Sequence, residues 1–117
     1  MKPQIVTDRD SIVDQLIYLG QTHNQTLQVT NKGQEDLVVS TYALQADPGW
    51  TLLNTTLIQA SDGSLSNTVK SNQTAFITMT CKPASTTQAI NGTLTINSNA
   101  ENKPVKTVTV SCGPATP

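Results

Sequence analysis

Apolar and polar residues alternate in short runs along much of this chain. Leu27 and Val29 alternate with Thr26, Gln28 and Thr30, and Leu37 and Val39 open a second run toward Leu44. Ala75, Ile77, Met79 and Cys81 alternate with Phe76, Thr78 and Thr80. The pattern returns in Leu94 and Ile96 against Thr93, Thr95 and Asn97, then in Val108, Val110 and Cys112 against Thr107, Thr109 and Ser111. A period of two puts one set of side chains on one face of an extended strand, so each run predicts a strand with one buried face. Trp50 to Leu53 adds a short strand, and a further one is expected near Ile5 or from Leu16 to Tyr18. Helical periodicity is weak: Ser11 to Leu19, the one candidate, is short and carries no clean apolar stripe.

Turn signals separate the runs. Asn31-Lys32-Gly33 reads as a turn in which Gly33 can take positive φ, and Asp47-Pro48-Gly49 removes a ladder donor and breaks the strand before it. Asp62-Gly63, Asn91-Gly92 and the stretch from Asn99 to Pro104 read as further turns, and Pro83 stops the run ending at Cys81. About seven short strands at this spacing predict an all-β, immunoglobulin-like β-sandwich. Residues 1–113 are expected to form one domain, with 1–15 as an N-terminal extension or first strand and 114–117 as a tail or linker. The stretch from Asn54 to Asn72 is polar and weakly patterned, which predicts long loops or an irregular edge strand.

Composition agrees with this reading. Thr, Ser, Asn and Gln supply 47 of 117 residues while apolar residues make up only 36%, which favours half-buried pleated surfaces and turns over a helical bundle. Seven basic and eight acidic residues leave a net charge of −1 without a run of either sign. No basic groove for nucleic acid or for an anionic membrane surface is therefore expected. No apolar stretch approaches the ~20 residues of a membrane-crossing helix, and no signal peptide is visible after Met1-Lys2-Pro3-Gln4.

Parity along the strands places both cysteines. Cys81 shares the face of Ile77 and Met79, and Cys112 that of Val108 and Val110, so both thiols point into the core. Their separation of 31 residues matches no zinc pattern, and the single histidine, His23, stands far off in sequence. A Cys81–Cys112 disulfide is expected; the alternative is two buried thiols packing as small apolar groups. The disulfide implies an extracytoplasmic setting, in the periplasm, at the cell surface or outside the cell.

Several segments resemble a known family. Gln25-Thr26-Leu27-Gln28-Val29-Thr30-Asn31-Lys32-Gly33 is similar to its strand ending in an Asn-x-Gly turn. Ile77 to Pro83, Gly92-Thr93-Leu94-Thr95-Ile96-Asn97-Ser98-Asn99 and Val108 to Gly113 continue the likeness in order. Over residues 16 to 113 the chain resembles the bacterial choice-of-anchor D domains, relatives of the ASPM–Hydin (ASH) immunoglobulin-like group. Residues 50 to 72 and Met1 to Val13 fall outside the pattern. The resemblance implies non-catalytic modules in longer surface, secreted or scaffold proteins, with no ligand and no functional residues to carry over.

No catalytic set emerges. His23 lacks a nucleophile motif and an orienting carboxylate, and reads as a solvated loop histidine. Asp8, Asp10 and Asp14 lack the Gly and terminal Glu of a calcium loop and read as solvated carboxylates. Four Asn-x-Ser/Thr sequons, at Asn24, Asn54, Asn72 and Asn91, are too few above chance to argue for a glycoprotein. Trp50 is expected to plug the core rather than anchor an interface, because so few aromatics are available. These features predict a non-enzymatic structural or protein-interaction module within a larger exported, surface or secretion-associated assembly, without cofactor or metal. It would engage a protein partner through loops and exposed strand edges. Asn54, Ser61, Asp62, Ser64 and Asn67 are the candidate surface. A small-ligand or carbohydrate-binding module is the alternative.

Overall fold

The structure, a computed structural model, describes residues 2–17, 22–82 and 90–114, with the side chains of 14–17 and of Pro114 left aside. Tyr18, Pro83 and residues 115–117 lie outside them. Ten strands follow in order: β1 (Ile5–Thr7), β2 (Ser11–Ile17), β3 (His23–Asn31), β4 (Leu37–Ala46), β5 (Trp50–Leu52), β6 (Ile58–Gln59), β7 (Thr68–Val69), β8 (Thr74–Cys81), β9 (Ile90–Ser98) and β10 (Val105–Pro114). They form two sheets. One runs β1-β3-β8-β5, with β6 also on β8, and the other runs β2-β10-β9-β4-β7.

The alternation read from the sequence is the alternation of burial. Every second residue of β8 is buried, from Ala75 to Cys81, and Leu27, Val29, Leu94, Ile96, Val108 and Val110 face the same core from their own strands. Burying such a side chain is worth about 1.5–3 kcal/mol, so the face each strand turns inward is strongly specified. The result is an all-β immunoglobulin-like sandwich.

Ten strands replace the seven expected because two regions hold more structure than their patterns disclose. The N-terminal segment changes sheet: β1 pairs antiparallel with β3, and β2 pairs parallel with β10 in the other sheet. The crossing is held at Asp8–Asp10, where Asp8 N–H donates to Gln28 O, Arg9 Nη2 donates to Thr26 O at 2.7 Å, and Asp10 O accepts from Thr109 N–H. Of the weak helix candidate Ser11 to Leu19, Ser11 to Ile17 is therefore strand, and Tyr18 and Leu19 lie outside the described residues. Residues 54–72 hold β6, β7 and a hairpin closed by Gln59 N–H to Ser64 O and Ser66 N–H to Leu57 O.

Two glycine readings change. Asn91-Gly92 is not a turn but lies inside β9, where a Cβ on Gly92 would sit 2.3 Å from Ala46 Cβ. Gly33 is absent from the positive-φ residues; its small size is needed because a Cβ there would lie 2.1 Å from Lys2 O. In both places the neighbouring backbone comes too close for any side chain.

Candidate interaction surface

The two ends of the sandwich are locked differently. At one end Cys81 of β8 and Cys112 of β10 form a disulfide across the sheets, with Cα atoms 6.4 Å apart. Trp50 pairs with Cys81 in register, is buried, and its indole N–H donates to Ile90 O at 2.9 Å. Ile90 is in turn the register partner of Cys112, so the indole plugs the core beside the bridge. His23 occupies the register position on the other side of Cys81. It is thus a half-buried strand residue rather than the solvated loop histidine expected, because pairing with β8 begins at His23 itself.

At the opposite end Asn31 is fully buried and all of its amide is used. Oδ1 accepts from Gly33 N–H at 2.9 Å and Gln4 N–H at 3.2 Å, while Nδ2 donates to Glu35 O at 2.7 Å and Val69 O at 2.9 Å. One side chain thus ties the N-terminal segment, the β3–β4 connection and β7. A buried amide is tolerated only when so satisfied.

The residues expected to form a surface divide into two groups. Ser61, Asp62 and Ser64 are exposed on the tip of the 57–66 hairpin. Asp62 Oδ1 accepts from Ser64 Oγ at 2.7 Å and from Ser64 N–H at 3.0 Å, and these bonds hold its carboxyl below the usual range. Asn54 and Asn67 are half-buried and spent on the scaffold. Asn54 Oδ1 accepts from Thr78 N–H at 2.8 Å, and Nδ2 donates to Thr56 O at 2.8 Å and Phe76 O at 3.2 Å. It stands in for the missing strand between β5 and β6, both of which pair with β8. Asn67 Oδ1 accepts from Leu57 N–H at 3.0 Å, bracing the base of the hairpin.

Beside the hairpin lies an open polar cleft of about 750 Å³, bounded by Ser61, Asp62, Ser64, Lys70 and Gln73 with Asp36. Its wall is set by internal bonds, Gln59 Nε2 to Ser66 O at 2.6 Å and Ser71 Oγ to Gly33 O at 2.7 Å. Leu65, 67% exposed, adds an apolar contact on the same hairpin. No aromatic ring lines the cleft, and no group of three or more metal-ligating side chains occurs among the described residues. The candidate carboxylates at the N-terminus serve the sheet crossing: Asp8 accepts from Gln28 N–H at 2.9 Å, and Asp10 pairs with Lys106, which lowers its pKa. No helix among the described residues is long and apolar enough to cross a membrane.

Sequence reading missed Asn31, Tyr42 and Asn102 as structural polar residues. Tyr42 Oη donates to Asn54 O at 2.6 Å, and burial pushes its phenol up to about 12. Asn102 bonds both Ile5 N–H and Ile5 O at 2.9 Å, capping the outer edge of β1. Only the Asn31-x-Gly spacing offered a signal, an Asn able to bond backbone two residues on.

No protein-family model and no curated protein matches this chain. Solved structures do. A protein of unknown function from Porphyromonas gingivalis W83 superposes with a TM-score of 0.75 at 13% identity, over 95% of this chain and 46% of that one. The ASH/PapD-like domain 7 of human CEP192 gives 0.64 at 11% identity, over 99% of this chain and 88% of that one. The VesB protease of Vibrio cholerae gives 0.68 at 10% identity, over 94% of this chain and 32% of that one. The likeness shows the fold alone. It is that of the ASH/PapD-like immunoglobulin sandwiches, and the chain spans less than half of the Porphyromonas and Vibrio proteins it resembles.

Proposed function

We propose that this chain is a non-catalytic, choice-of-anchor D type module that binds a protein partner within a larger exported, surface or secretion-associated assembly. The carrying observation is the 57–66 hairpin. It presents Ser61, Asp62, Ser64 and the exposed Leu65 beside a polar cleft, on a base that Asn54 and Asn67 hold rigid. Loops on a rigid scaffold carry binding, and an apolar residue within a polar rim suits a protein interface better than a sugar-stacking site. The intersheet disulfide supports the exported setting, since such bonds persist in oxidising compartments. The carbohydrate alternative loses support because its one tryptophan is buried and the cleft has no ring on which a sugar could stack.

The test replaces residues 60–64 with a Gly-Ser link, leaving Asn54, Ser66 and Asn67 in place. The fold is expected to persist while capture of the native partner from extracts of the source cells falls at least about tenfold, the loss typical of one hot-spot residue. Equal capture by both versions overturns the assignment of the hairpin.

A further inference from the structure

The edges of the two sheets are not equally guarded. The outer edge of β1 is capped at Ile5 by the Asn102 amide. The edge formed by β5 and β6 is filled by Asn54 and covered at β6 by the hairpin. β2 carries Asp14 and shifts register after it, and β7 is two residues long and runs into Lys70. Short edges, charges and irregular register are the devices by which proteins discourage strand addition.

The second half of β4 has none of them. β7 pairs only with Leu37 and Val38, and after the register shift at Ser40 the strand continues as Thr41-Tyr42-Ala43-Leu44-Gln45-Ala46, without charge or proline. The bond from Asp47 N–H to Asn91 O fixes the ladder with β9, so Thr41, Ala43 and Gln45 bond to β9. The N–H and C=O groups of Tyr42, Leu44 and Ala46 then point out of the sheet, where no described strand meets them. The side chains of Tyr42 and Leu44, only half-buried, lie with Leu52 along the seam between the sheets.

The geometry points to the Thr41–Ala46 edge as an acceptor for an extended, uncharged segment of a partner protein, with apolar residues at alternate positions that enter the seam beside Tyr42 and Leu44. This surface is separate from the hairpin tip. A second copy of the chain is the poorer occupant. A stretch of five residues, from Tyr42 to Ala46, is only about 17 Å long, and a neighbouring strand lies about 4.8 Å away, so pairing covers a narrow strip. A stable dimer buries about 800 Å² on each partner. Strand addition of a peptide works at this scale because backbone bonds supply much of the affinity.

Amide hydrogen exchange read by NMR tests this on the full chain, with the capped peptide Thr-Val-Thr-Val-Thr-Val-Thr as probe. In the free protein the amides of Tyr42, Leu44 and Ala46 should exchange at least tenfold faster than those of Ala43 and Gln45. The peptide should slow those three saturably by at least tenfold, and the same peptide N-methylated at its valines should not. Ala46→Pro removes one outward donor and should weaken peptide binding at least fivefold while Ala43 stays protected. Should that variant fail to fold, the two peptides on the unaltered chain still decide. Amides already protected in the free protein, no protection at millimolar peptide, or equal protection by both peptides overturns the inference. Protection that rises with protein concentration without peptide also overturns it, in favour of self-pairing. Loss of partner capture in the hairpin variant with peptide protection intact separates the two surfaces.

Discussion

Replacing Asn31 with Ala removes four hydrogen bonds made by one fully buried side chain. The bonds to Gly33 N–H and Val69 O are buried, and orphaning such groups costs about 1–3 kcal/mol each. The partners Gln4 N–H and Glu35 O are part-buried and regain water, at nearer 0.5 kcal/mol each. The total is about 5 kcal/mol, a large share of a small domain's stability. For 117 residues the unfolding entropy makes 1 kcal/mol worth about 4 °C, so the midpoint should drop by about 20 °C. Calorimetry with urea melts at the same pH measures both quantities. Asn31→Asp separates the amide's two halves: it keeps Oδ1 as acceptor but sets a second oxygen against Glu35 O and Val69 O, so it should destabilise at least as much as Ala. Asn102→Ala, with two part-buried bonds, should cost only about 1–2 kcal/mol. An Asn31→Ala midpoint within about 3 °C of the parent would refute the reasoning, because the two orphaned buried groups alone should cost more than that.

Three further outcomes are expected. Thiol titration of the unfolded, unreduced chain should find no free thiol, and reduction of the bond that closes the 31-residue separation should cost about 3.7 kcal/mol on the chain-entropy model; two free thiols would contradict the bridge. Asn54→Ala should cost about 2–3 kcal/mol by urea melt, since Thr78 N–H and Phe76 O lose the side chain that replaces a strand; a neutral substitution would show that water fills the gap equally well. Burial raises the Tyr42 phenol from 10.0 to about 12, so the folded state resists ionisation that the unfolded state accepts. That contribution is complete below pH 10 and is lost between pH 10 and 12. In a Tyr18→Phe background the absorbance titration should therefore centre near 12, and a midpoint at 10 would contradict the burial.

Period and parity are local properties, so the sequence alone determined which residues of β3, β8, β9 and β10 face the core. They also placed Cys81 and Cys112 inward, and the bridge requires nothing more than their strands lying opposite each other. Trp50 as a core plug followed from composition. The family resemblance led to the same sandwich that the solved ASH/PapD-like domain displays.

Tertiary structure alone decided how the edges are finished. The crossing at Asp8–Asp10 depends on which strand of each sheet has a vacant side, and no local pattern encodes that vacancy. Asn54 and Asn102 act as fragments of strand, and an amide has the same composition in that role as in a solvated loop. Gly33 and Gly92 answer to backbone arriving from Lys2 and from β4, contacts distant along the chain, and so read from sequence as ordinary turn residues. The free edge of β4 belongs with these. Its alternation was legible, but that β7 covers only Leu37 and Val38 was decided by the path of residues 54–72, whose polar side chains bond to strands they do not adjoin in sequence.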